Sequence, residues 1–217
     1  MKNLLIKELR LAAMILSYLF ILFALMTLIP GYPILVGAFF ICLGIFYSFQ
    51  TGRENNDILF TVLLPVEKSD AVRAKYIFTV FIQTAGFILA FILTIVRTTA
   101  LKAAPVYTTN PMMNANQAYL GWTLIVFALF NTVFLGGFFK TAYKFGKPFV
   151  LFCVVCFVWI FIAEALHHFP GLTWLNNTDT LGSAAHWLIL VAGLVIWAAA
   201  TLISCRRSID KFDKVDL

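Results

Sequence analysis

The chain has 217 residues, 62% of them hydrophobic and only 12% charged, with a mean hydropathy of +0.93. Soluble domains carry about 25% charged residues, so this is a membrane protein, and its apolar runs and short connections leave no room for a soluble catalytic domain. The net charge of +6 does not point to nucleic acid, because basic residues flanking membrane helices follow from insertion alone. Cys42, Cys153, Cys156 and Cys205 lie in or beside apolar runs and make no secreted disulfide pattern.

Residues 1–11 mix charge with Leu and Ile. Lys2, Lys7 and Arg10 can share a polar side while Leu4, Leu5, Ile6 and Leu9 cover most of the rest. This predicts an amphipathic helix on the membrane surface; the simpler alternative is a basic flank that orients the next helix. A first span is expected over residues 12–29. The Pro30-Gly31-Tyr32-Pro33 turn then sends a second span, residues 34–50, back antiparallel. A polar island over 51–76 follows. A third span is expected over 76–96, a fourth over 118–139, a fifth over 149–166 and a sixth over 184–204. Each is near the roughly 20 residues needed to cross about 30 Å of hydrocarbon. The tail, 205–217, is charged throughout. The expected fold is an all-α polytopic membrane protein: six transmembrane helices behind an N-terminal amphipathic surface helix.

Six spans put both termini on one side, and the basic residues say which. Fourteen of the sixteen Lys and Arg fall at the N-terminus, in the island, in the 140–148 loop and in the tail; only Arg97 and Lys102 fall on the other side. The positive-inside rule therefore places both termini, the island and the tail in the cytoplasm.

The island is patterned beyond the needs of a connection. It holds four of the ten acidic residues. Pro65 divides it. Residues 55–64 can form a short helix capped by Asn55, Asn56 or Asp57, and Ser69 can cap a second helix that runs into span three. Ile58, Leu59, Val62 and Leu63 recur at helical spacing and give the short helix an apolar stripe that needs a partner.

Asp57, then Leu63-Leu64-Pro65-Val66, a charged pair, Val72 and Lys75-Tyr76 resemble the signature of type-2 ABC export permeases of bacteria, with Glu67-Lys68 where Ser-Arg is more usual. The six spans and basic N-terminal helix match that arrangement over the whole chain, and the size is similar to the small membrane subunits of peptide and antimicrobial exporters such as phenol-soluble modulin exporters. The resemblance implies a permease that pairs with a second copy or a sister subunit in the lipid bilayer. It also implies docking to separate ABC ATP-binding subunits, which carry the ATP and Mg; no cofactor is expected on this chain. Asp57, Leu59, Leu63, Leu64, Pro65 and Val66 would be the ATPase-coupling residues. Lys2, Lys7, Arg10, Lys68, Arg73 and Lys75 would sit at the anionic inner surface.

The absence of a Walker-type Gly-rich loop puts nucleotide hydrolysis on another chain. Cys153-x-x-Cys156 is read as one packed helix face. Glu164, His167, His168 and His186 offer metal-ligating groups near the outer rim, but the sequence shows no three or four converging ligands. Ionisable groups are nearly absent from the middle of the spans, which disfavours an ion-coupled carrier. Gln83 and Asn131, with Thr84 and Thr132, fit either a substrate path or interhelical hydrogen bonds. A secondary transporter or channel, or an assembly subunit without an ATPase, stands as the alternative to the permease.

Overall fold

The computed structural model describes residues 2–141, 143–178 and 183–215, and every secondary-structure element among them is helical. Helix α1 (Lys2–Lys7) runs into a π turn over Glu8–Ala12. After the extended residues Ala13 and Met14 the chain bends by 90° into α2 (Ile15–Leu19), which tightens to a 3-10 helix over Phe20–Leu28. There follow α3 (Val36–Glu54), α4 (Asp57–Leu63), α5 (Lys68–Thr99), the short α6 (Pro105–Thr108) and α7 (Gln117–Leu129). A π segment, Phe130–Leu135, continues α7 into α8 (Gly136–Phe138). Helices α9 (Gly146–Leu166) and α10 (Ala184–Phe212) complete the bundle.

By length and composition alone, fewer helices among the described residues qualify as spans than the six expected. Among the described residues, four helices are long and apolar enough to cross a membrane: α5, α7 with its continuation, α9 and α10; the bent pair at the N-terminus makes a fifth if taken as one span. The two expected spans that differ do so for physical reasons. The first is broken from α1 and completed by a 3-10 helix, which rises about 2.0 Å per residue against about 1.5 Å for an α-helix. The second, α3, has 19 residues, but Gln50, Arg53 and Glu54 in its last two turns shorten its apolar stretch. Elsewhere helices overrun the expected ends. The charged tail is helical to Phe212 and docks on the bundle: Lys211 Nζ donates to the Gly136 carbonyl at 2.8 Å, and Lys68 Nζ to the Val215 carbonyl at 2.9 Å.

Helix α7 is the centre. In its apolar stretch 72% of residues are buried, against 11% in α10, so α10 shows most of its surface outward, as a helix facing lipid does. The core beside α7 is a stack of phenylalanines. Phe46 lies 3.7 Å from Phe149, and Phe49 meets Phe134 and Phe138 edge to face at 5.3 and 5.0 Å. Small residues set how closely helices approach. Ser17 Oγ donates to the Gly44 carbonyl and lies 2.7 Å from Ser48 Oγ, while the Met14 amide donates to Ser48 Oγ at 2.8 Å; together these fasten the bend to α3.

A buried cation closes the end of α5 far from the island. Arg97 is 2% exposed. Its Nη1 donates to the Thr27 carbonyl at 2.7 Å and its Nη2 to Asn114 Oδ1 at 2.9 Å; its guanidinium lies 4.4 Å from the Tyr107 ring centroid. Tyr119 is buried, its hydroxyl 3.0 Å from Thr27 Oγ1.

The tightest helix contact generates a prediction. A Cβ on Gly193 would lie 2.5 Å from the Gly121 carbonyl oxygen, and one on Gly121 2.6 Å from that of Ile189. Gly193→Leu must push α7 and α10 apart, at a cost of about 1–3 kcal/mol, and is expected to lower the thermal midpoint of the detergent-purified protein by several degrees. Gly146→Ala, with open space at its Cβ, is expected to leave it unchanged.

Candidate functional site: a charge cluster beneath an exposed apolar helix

The local sequence of the island explains its shape. Asn56 takes the left-handed conformation, φ 52°, which Asn tolerates better than most residues. It turns the chain from the end of α3 into α4. The expected side-chain caps are not made: Asn56 precedes α4 without capping it, and α5 starts at Lys68 after Glu67, while Ser69 Oγ donates instead to Glu67 Oε2 at 3.0 Å. Leu64 is extended, as a residue before proline prefers, so Pro65 separates α4 from α5 as expected.

Helix α4 has two faces. Ile58 and Val62 pack inward on the core, and Thr61 is 3% exposed. Leu59, Phe60, Leu63 and Leu64 point outward; Phe60 is 66% and Leu63 75% exposed. The stripe expected from spacing, Ile58, Leu59, Val62 and Leu63, is thus split between the two faces, and Phe60, which it did not include, stands on the outer one. Pro65 is exposed and Val66 half-buried beside them.

Beneath α4 lies a cluster of four charges. Lys75 Nζ, from the second turn of α5, is 2.9 Å from both Glu8 Oε2 and Asp57 Oδ2. Lys7 Nζ is 2.5 Å from Asp57 Oδ1 and 3.2 Å from Glu8 Oε1, and donates to Thr61 Oγ1 at 2.6 Å. Two cations meet two carboxylates, so the group is neutral, and Glu8 and Lys75 are 4% and 7% exposed. Phe49 forms one wall, its ring centroid 5.4 Å from Lys75 Nζ. A cleft of about 60 Å³ opens alongside, lined by Gly52, Arg53, Asn56, Asp57, Lys75 and Tyr143 among others. Burial raises the Asp57 carboxyl, but Lys75 and Lys7 outweigh it and hold the group below the usual carboxylate range.

This corrects the assignment of the basic residues. Lys75 is buried and Lys7 half-buried, and both pair their charge with carboxylates of the protein itself. Arg10 is exposed, Arg73 pairs with Asp70 at 3.2 Å, and Lys68 reaches the tail. Lys2 starts α1, and its side chain lies outside the described part of the structure. Glu8 was missed. The available signal was its isolation: it is the only carboxylate before Glu54.

Gln83 and Asn131 occupy a second, deeper layer, away from the cluster. Their amides pair reciprocally at 2.9 and 3.0 Å; Trp197 Nε1 donates to Gln83 Oε1 at 3.0 Å, and Asn131 Nδ2 to Thr201 Oγ1 at 2.8 Å. The π segment presents the Asn131 carbonyl to Ser204 Oγ, which donates at 2.6 Å. Three helices are thus tied by side chains at this level, and Gln83 also lines a cavity of about 100 Å³ with Thr84, Phe87 and Leu194. At the far end, Glu164 Oε1 accepts from the Met113 amide at 2.6 Å and His167 Nε2 lies 3.2 Å from the Pro111 carbonyl. Among the described residues no three His, Cys, Asp or Glu gather as a metal site.

The family described as ABC-2 family transporter protein matches residues 3–213. No curated protein and no solved structure matches the chain.

Removing one member of a buried ion pair costs about 3–5 kcal/mol. Lys75→Met leaves two carboxylates facing a single lysine and is expected to cost an amount in that range, read as a lowered thermal midpoint; adding Glu8→Gln is expected to recover part of the loss. The acid response follows from Asp57. Its folded pKa is depressed, so its stabilisation is complete above the unfolded value of about 3.9 and is lost as pH falls through the lower folded value. Hydrogen exchange should show residues 3–12 protected at neutral pH and losing protection below about pH 4, and Asp57→Asn should remove that dependence.

Proposed function

This chain belongs to the ABC-2 family of transporter proteins, and from that premise we propose that it is the transmembrane permease subunit of an ATP-driven exporter in the bacterial cell membrane, with both termini cytoplasmic. The chain is a non-catalytic membrane component. The ATP and Mg belong to partner ABC ATP-binding subunits, and two permeases, identical or sister, form the transport path. The proposed cargo is an amphipathic peptide or hydrophobic compound.

The observation that carries the coupling reading is the exposed apolar face of α4 lying directly over the charge cluster. A soluble loop gains nothing from exposing Leu59, Phe60, Leu63 and Leu64 together, and a contiguous patch of this kind marks an interaction surface. We place the docking contact of the ATP-binding subunit there. When ATP closes those subunits, force on α4 passes through Asp57 to Lys75 and through Lys7 to the N-terminal helix. Lys75 is part of α5, one unbroken helix of 32 residues, so displacement at its base is carried along the span. Gln83, farther up the same helix, would line the substrate path at the cavity it shares with Thr84 and Trp197, with Asn131 holding its amide in place.

The test is co-purification. The chain is co-expressed with the ATPase genes beside its own and captured in detergent. The ATP-binding subunit is expected in the eluate, and Leu63→Asp/Leu64→Asp is expected to lose it while the variant still inserts and keeps its thermal midpoint. Retention of the ATPase by that variant would overturn α4 as the docking element; a wild-type chain that captures no ATPase would overturn the permease reading.

A further inference from the structure

A second cleft, of about 440 Å³, lies beside the charge cluster and is used by none of the roles above. It is lined by Arg53, Tyr143, Lys144, Phe145, Gly146 and Lys147. Its volume is within the range of small-molecule sites, about 300–1,000 Å³. Three of the six lining residues are cations, none is acidic, and among the described residues no carboxylate forms an ion pair with Arg53, Lys144 or Lys147. The arginine is held in place by aromatic rings: its guanidinium lies 4.3 Å from the Tyr143 centroid and 5.0 Å from that of Phe145, at cation–π distance. A guanidinium fixed by its faces still presents its edge N–H groups, the geometry that recognises phosphate oxygens.

The cleft is continuous with an apolar surface. Immediately after Lys147 and Pro148, helix α9 begins an outward face of Val150, Leu151, Val154 and Val158, all more than half exposed. A ligand that fits both parts is anionic at one end and apolar along its length. We propose that this cleft binds the phosphate headgroup of an anionic lipid of the cytoplasmic leaflet, with the acyl chains lying along α9. Basic pockets between helices at that face are suited to such headgroups. Arg53 also lines the cleft that contains Asp57 and Lys75, so an occupied headgroup site steadies the end of α3 next to the charge cluster. This inference stands independently of ATPase docking.

The experiment measures lipid retention on the full chain. The protein is reconstituted in phosphatidylcholine, or in phosphatidylcholine with phosphatidylglycerol, and bound lipid is counted by native mass spectrometry after extraction. Phosphatidylglycerol is expected to be retained preferentially, and Arg53→Gln/Lys144→Gln/Lys147→Gln is expected to lower its apparent affinity at least about tenfold. The control Lys140→Gln/Arg206→Gln/Arg207→Gln removes the same charge outside the cleft and is expected to retain the lipid; gel filtration and helical content confirm that both variants fold. Equal loss in both variants would mean general surface electrostatics and overturn the site. Displacement of phosphatidylglycerol by millimolar glycerol 3-phosphate would overturn the lipid assignment in favour of a soluble phosphate. Unchanged lipid binding in the cleft variant, with loss of the co-purifying ATPase, would make the cleft a protein contact and overturn the proposal.

Discussion

One lysine organises the charged end of this protein. Lys75 takes Glu8 from the N-terminal segment and Asp57 from the short helix, each at 2.9 Å, and so joins three segments that are up to 67 residues apart. Removing such charges from water is expensive unless each is met by an opposite charge in good geometry. Here Lys7 completes the balance, and Thr61 closes the pattern by bonding both Lys7 and the Asp57 carbonyl. The arrangement fixes positions that hydrophobic contact alone leaves free. Lipid is as apolar as the helices it surrounds, so apolar packing does not decide where a surface helix meets a bundle. A charge pair with a defined distance does.

The deeper polar layer serves a related purpose with neutral groups. Gln83, Asn131, Thr201 and Trp197 satisfy one another across α5, the π segment and α10. A π segment offers backbone carbonyls outside the regular ladder, and the Asn131 carbonyl finds Ser204. Tyr76, one residue past Lys75, shares hydrogen bonds with Ser204 and Ser208 at 2.8 and 2.9 Å. A line of hydrogen bonds therefore runs from Tyr76, beside the charged end of α5, through Ser204 to Asn131 and Gln83 in the middle of the bundle.

Much of the fold was legible because periodicity and charge bias are strong signals in membrane sequences. The long apolar helices and the break at Pro65 follow from residues read one stretch at a time. What was not legible needed two stretches at once. Lys7 and Lys75 carry the same charge as a membrane-surface lysine, and only the third dimension brings Glu8 and Asp57 to them. The shape of the first expected span was hidden for a different reason: a 3-10 helix has no distinct composition, so the bend before it is set by Ser17, Gly44 and Ser48 across the helix pair rather than by local propensity. The helical tail was missed because its charges hide an inward side, with Phe212 1% exposed.

Helix α5 is pinned at two levels by opposite means. Near its start Lys75 is bound to carboxylates; 22 residues later, about 33 Å along the axis, Arg97 is held by a carbonyl, an amide and an aromatic ring. Sliding along its own axis would drag one cation out of its cage at each end, and rotation would swing both away from their partners. Tilting about the middle moves the two ends the most, about 3 Å for a tilt of about 10° on a lever arm of about 16 Å, so it too must carry the partners of both cations along. The rod therefore moves only together with what holds it: the N-terminal segment and α4 at one end, the 3-10 helix and the connection before α7 at the other.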